Sequence, residues 1–214
     1  MAKFFACLLL VSTLFGCAQV RTNITTFHGE GSEDRGAIIV LPLNDEQRDS
    51  LAFKAVSQRV ATRLSEKGYR LARTREDAKL VAFISYGIDN GKTSVTSAPV
   101  YGRTGGGTSQ SQGTITGSGG SSATYRGTTT TMTTYGVVGI ATSAETEYKR
   151  DVNIDIYNVT GAKPVKAYEL RAFSIGSCGN MHAIIDSIID GMFEEFPGQS
   201  GKTTQVDVKW DGKC

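Results

Sequence analysis

The sequence predicts an α+β fold, a mostly antiparallel sheet with two helices packed on one face. Three observations point there. Val152, Ile154 and Ile156 alternate with Asp151, Asn153 and Asp155, the period-two mark of a strand with one buried face. Two stretches, 53–64 and 184–196, repeat apolar residues at helical spacing. Residues 37–43 form a continuous apolar run, short enough to be one buried strand.

The elements follow in chain order. Residues 20–27 mix β-branched and polar side chains as a strand does, and a polar, Gly-containing loop from His28 to Gly36 follows. The apolar run 37–43 ends at Pro42, which cannot donate to a ladder. Asn44 is predicted to open a helix, with Gln47 as its capping-box partner. Phe53, Val56, Val60 and Leu64 form its apolar stripe, with Leu51 and Ala61 beside them, and Lys67-Gly68 ends it. Short strands are predicted at 69–72 and 79–88. Strand 145–159 turns through Thr160-Gly161-Ala162-Lys163 into a hairpin partner at 165–175. The second helix is capped by Asn180. Ile184, Ile185, Ile188, Ile189, Met192, Phe193 and Phe196 face the core, and Pro197-Gly198 stops the helix. A tail strand from Thr204 to Trp210 leads to Cys214.

Composition excludes several classes. With 23 Lys+Arg against 21 Asp+Glu, the formal charge of +2 excludes a strongly basic nucleic-acid binder. The 39% hydrophobic and 21% charged shares exclude a fully disordered chain and a multi-span membrane protein. The 25 glycines are unevenly placed, and nine lie within residues 102–134. Of those 33 residues, 25 are Gly, Ser or Thr. Such a stretch buries too little apolar surface to offset its ordering entropy. It is therefore read as a flexible or hairpin-like insertion within a single domain, 17–214. No Asp or Glu occurs from Asn90 to Ala144, while Lys92, Arg103 and Arg126 do. That bias suits contact with an anionic glycolipid or with the sheet edge of an envelope protein. A solvated insertion without a ligand is the other reading.

Residues 1–16 have the form of a secretory signal. Lys3 supplies a positive start, and Phe4–Phe15 is apolar apart from Ser12 and Thr13. The run Leu14-Phe15-Gly16-Cys17 resembles the lipobox of bacterial lipoproteins. The resemblance implies cleavage before Cys17 and a diacylglyceryl group on its thiol, which anchors the chain to a lipid bilayer. Two or three acyl chains hold a protein on a membrane far more firmly than one. Ala18, rather than Asp, follows Cys17, which by enterobacterial sorting rules implies the outer membrane, facing the periplasm. Cys7 leaves with the signal and Cys17 takes lipid, so Cys178 and Cys214 remain as an even pair in an oxidising compartment. A bridge between them is expected, with two unpaired thiols as the alternative.

The order of elements carries a second resemblance. Leu41-Pro42 closes the apolar strand, Leu64-Ser65-Glu66-Lys67-Gly68-Tyr69 closes the first helix, and Ala78-Lys79-Leu80-Val81 opens the next strand. Val152-Asn153-Ile154-Asp155-Ile156-Tyr157-Asn158 and Phe193-Glu194-Glu195-Phe196-Pro197 follow. This pattern resembles bacterial lipoproteins carrying the domain of unknown function numbered four thousand one hundred and thirty-six. It covers most of residues 18–200 outside the Gly/Ser/Thr stretch. The Trp usual after that family's hairpin turn is absent, and Tyr168 takes its place. The resemblance implies an envelope lipoprotein of unknown activity and carries no catalytic residues.

No motif carries chemistry. Gly198–Thr203 ends like a phosphate-binding loop but has Phe196 where a Gly is needed, after a helix and before a strand. Asp151, Asn153 and Asp155 open like a calcium loop, yet positions six and twelve are Ile156 and Ala162, so they read as a solvated strand face. His28 and His182 stand too far apart in the chain for a hydrolytic or metal constellation, and Ser177 has no evident base. No catalytic residue, cofactor or metal is expected. The expected function is a non-enzymatic envelope interaction or structural module. The alternative is a binding module for an envelope lipid or glycan, and a hydrolase is the third reading.

Overall fold

The computed structural model describes residues 18–214, so the signal segment 1–16 and Cys17 lie outside the described residues. The order is β1 (Ala18–His28), β2 (Ala37–Pro42), α1 (Leu51–Glu66), β3 (Arg70–Leu71), β4 (Leu80–Ile88), β5 (Lys92–Thr116), β6 (Ser122–Asn158), β7 (Val165–Gly176), α2 (Met181–Glu194) and β8 (Thr203–Trp210). The strands form one sheet in the order β3-β2-β4-β6-β7-β1-β8, and β5 pairs with β6. The fold is mixed α/β with a mostly antiparallel sheet. The exception is one end, where β2 runs parallel to both β3 and β4. A parallel neighbour needs a crossover, and α1 supplies it between β2 and β3.

The strand alternation predicts the buried face correctly. Val152, Ile154 and Ile156 of β6 are fully buried, as are Leu170 of β7 and Ile84 of β4. They form one cluster with Phe53, Val56, Val60 and Leu64 of α1 and with Ile184, Ile185, Ile188, Ile189 and Met192 of α2. Burying each such side chain contributes about 1.5–3 kcal/mol relative to leaving it exposed. Gly191 on α2 keeps the helix close to the sheet. A Cβ there would stand 3.1 Å from Val208 and 3.6 Å from Ile24.

The first helix begins later than the sequence suggests. Asn44 caps a single 3-10 turn, Asp45–Gln47, accepting from the Glu46 amide. The Ser50 hydroxyl then caps α1, accepting from the Phe53 amide at 3.4 Å. Leu51 is consequently on the outer side, 81% exposed, and not in the stripe. Asn180 caps α2 as predicted, accepting from the His182 amide at 3.1 Å. Tyr168, on β7, is buried and packs 4.8 Å from the Phe196 ring. Its hydroxyl donates to the Ser32 carbonyl at 2.7 Å, which pins the β1–β2 loop to the sheet.

The chain divides into two compact units. Among the described residues, one is 18–92 with 146–214, and the other is Thr93–Glu145. The second unit is longer than the insertion expected at 102–134. Residues 102–134, read as flexible or hairpin-like, are strand on both sides of a turn at 117–121. Thr and Ser pair across it, with Thr104–Thr134 at 3.2 Å and Thr108–Thr130 at 3.5 Å between hydroxyls. A ladder satisfies backbone groups without apolar burial, and β-branched Thr favours extended backbone.

Candidate functional site

The outward face of β6 and β7 is occupied by ion pairs. Asp155 accepts from Arg171 at 2.7 Å and from Lys166 at 3.3 Å, and Lys166 also donates to Glu169 at 3.0 Å. The bond to Glu169 is the largest cause that raises the Lys166 ammonium to about 12, with Asp155 adding to it and burial opposing. Asn153 donates to Ser85 and to Asp151 at 3.4 and 3.3 Å. The Asp151-Asn153-Asp155 row is thus bonded within the protein. Among the described residues, no group of three or more His, Cys, Asp or Glu is placed to hold a metal ion.

The other candidate residues lie apart. His28 ends β1 with its ring 6.0 Å from Tyr168, and His182 starts α2 with its ring 6.4 Å from Tyr86. In the turn Gly198–Thr203, the Gly201 amide donates to the Thr26 carbonyl at 2.8 Å and the Lys202 amide to Gln199 at 3.2 Å. Those amides hold the turn against β1 and do not form an open cradle. Cys178 and Cys214 are joined, with Cα atoms 5.5 Å apart. The bridge and Trp210 together hold the tail, since the Trp210 indole donates to the Ala183 carbonyl at 3.0 Å.

A polar row crosses the core face of the same sheet, and sequence reasoning missed it. Arg150 of β6 is opposite Ser174 of β7, and Ser174 is opposite Thr22 of β1. All three are buried, Arg150 to 3% exposure and the two hydroxyl residues to 0%. The Arg150 Nε, the Ser174 Oγ and the Thr22 Oγ1 have no hydrogen-bond partner among the described residues. Burial pushes the Arg150 guanidinium below its ordinary value. Gly176 makes room for it, because a Cβ there would stand 2.6 Å from Arg150 Nη2. Arg150 and Ser174 line a cavity of about 290 Å³, with Gln19, Arg21, Asp207 and Trp210 among its other walls. The signal was present in the sequence. Arg150 is in phase with Val152, Ile154 and Ile156, so the alternation places a charge on the apolar face.

Thr93–Glu145 is a ribbon with its own character. Its residues are nearly all exposed, including Tyr101, Ile115, Tyr125, Met132, Tyr135 and Ile140. Over this range β5 and β6 pair with each other, and no further strand borders either among the described residues. The Tyr125 ring lies over Gly113, where a Cβ would approach to 2.6 Å. Gly106, at φ 87°, sits where any Cβ would overlap the Met132 carbonyl.

Among the described residues, no helix is long and apolar enough to cross a membrane. No family model matches the chain. No curated protein matches it. Among solved structures, a PDZ domain protein from Parabacteroides distasonis is similar at a TM-score of 0.43 and 8% identity. The match covers 89% of this chain and 40% of that one. At that similarity it carries no functional argument.

Proposed function

We propose that this protein is a lipid-anchored module of the bacterial envelope that works by contact and not by catalysis, with the β5–β6 ribbon as its contact element. The carrying observation is that no further strand among the described residues borders the ribbon's two edges over residues 94–145, with no acid from Asn90 to Ala144. Exposed edges present rows of free N–H and C=O groups, a ready template for another strand. An isolated two-stranded hairpin is also marginal in water, so a bordering strand would stabilise it. The lipobox-like Leu14-Phe15-Gly16-Cys17, and the resemblance to envelope lipoproteins, support an acyl anchor on Cys17 at the periplasmic side of the outer membrane. We read both helices as lying on one face of the sheet. Their shared core, and the Arg59–Asp190 and Arg63–Asp190 pairs that join them, support this.

Two measurements test the reading. Cys17→Ser should abolish acyl labelling and release the protein from membranes; persistent labelling refutes the anchor. Photo-crosslinkers at Ser109 and Thr131, both exposed ribbon positions, should capture envelope protein in cells, whereas one at exposed Thr62 on α1 should not. Equal capture at all three positions would remove the ribbon from the proposal. The cavity beside Arg150 favours a second reading, a binding module for an envelope lipid.

A further inference from the structure

A guanidinium is expensive to bury without a partner. An uncompensated buried charge costs several kcal/mol, and buried polar groups are normally hydrogen-bonded. Arg150 breaks that pattern, and so do Ser174 and Thr22 beside it in the same cross-strand row. All three unsatisfied groups in this row can donate a hydrogen bond. No ion pair among the described residues includes Arg150, and the carboxylate nearest in the cavity wall, Asp207, is taken by Arg21 at 3.0 Å.

We propose that this cavity is an oxyanion site, in which Arg150 and Ser174 hold a phosphate group. The planar guanidinium fork matches phosphate oxygens two at a time. The Ser174 hydroxyl supplies a further donor to the oxygens the fork leaves free. At about 290 Å³, the cavity has room for a phosphate with part of what it esterifies. Gln19, in its wall, is two residues after Cys17 in the chain. Two residues reach at most about 7 Å. An acyl anchor on Cys17 would therefore hold the cavity near lipid headgroups, where phosphodiesters are concentrated. This last step rests on the anchor proposed above; the oxyanion site itself does not. The ligand is then either the phosphate of a phospholipid headgroup or a free phosphate ester.

The test uses the full chain with Cys17→Ser, which cannot be acylated, so binding is read without the anchor. The protein is titrated with inorganic phosphate by calorimetry and thermal melting. It is also floated with vesicles of phosphatidylethanolamine and phosphatidylglycerol. Saturable binding of phosphate or vesicles is expected, falling at least tenfold in Arg150→Met and severalfold in Ser174→Ala. Arg150→Lys, which keeps the charge but loses the fork, should also weaken binding severalfold, and it serves if Arg150→Met does not fold. Asp207→Asn should tighten binding by removing the rim's negative charge. Vesicle binding with competition by phosphate assigns a headgroup, and phosphate binding alone assigns a free ester. Absence of both, or equal binding by wild type and both Arg150 variants, would overturn the site. Acyl labelling of Cys17 in the wild type judges the anchor separately.

Discussion

Arg150 and Lys166 are cations on paired strands, β6 and β7, and their surroundings differ by face. Lys166, on the outward side, is held by Glu169 and Asp155 at 3.0 and 3.3 Å. Its folded value, about 12, is above the ordinary 10.5. A raised value means that this contribution is complete below about pH 10.5 and is lost as pH rises through about 12. Because the network is largely solvated, its worth is about 0.5–1 kcal/mol. The stability advantage of wild type over Lys166→Met should therefore be constant between about pH 7 and 10 and shrink above that. Denaturation midpoints measured across the range check this, and an advantage that grows with pH would contradict it. Arg150 has no such partner and pays the full penalty of burial. Sequence alternation places Arg150 on the buried face, but it also puts Lys166 in phase with buried Tyr168 and Leu170, and only the register shift beside Ala167 turns Lys166 outward.

At the scale of elements, the joint between α1 and α2 is the most exposed to test. Arg59 grips Asp190 with both Nε and Nη2, and Arg63 adds a pair at 2.9 Å while also holding Glu66 at 2.7 Å. Asp190 is half-buried, between the surface and interior regimes of ion-pair energetics. Asp190→Ala leaves two guanidinium groups facing each other and should cost about 1–2 kcal/mol. Urea unfolding measures it, and a loss below about 0.3 kcal/mol would mark the joint as ornamental. The stripes that bring these helices to the core were legible at 3.6-residue spacing. Their partner was not, because Asp190 reads from sequence only as part of the polar side. The start of α1 was misplaced for a related reason. Asn44 and Ser50 are both good caps, and only the packing of Phe53 into the core selects Ser50. The ribbon shows the opposite limit, since Thr-rich strands with little to bury are ordered by pairing alone.

At the scale of the molecule, the tail is tied back onto the sheet unit. β8 pairs with β1 along Ala18–Thr25, the Trp210 indole bonds to α2, and Cys214 bonds to Cys178 before that helix. For a closed loop of this size, the chain-entropy model assigns the bridge about 4 kcal/mol. Cys178→Ala with Cys214→Ser should lower unfolding stability by an amount of that order, and alkylation of the unreduced wild type should find neither thiol free. Two alkyl adducts on unreduced protein would reject the bridge.

The sequence by itself determined which segments of the sheet unit are strand and helix, apart from the start of α1, and that Cys178 and Cys214 remain as an even pair. Local periodicity and cysteine arithmetic are enough for these, because each depends on neighbours in the chain or on a count. Only the tertiary structure decided which strands run parallel, that residues 102–134 are a paired ribbon, and that Arg150, Ser174 and Thr22 share one unsatisfied row. Each of those depends on contacts between residues far apart in sequence. The free energy of a buried polar group is set by what stands opposite it, and no local pattern carries that information.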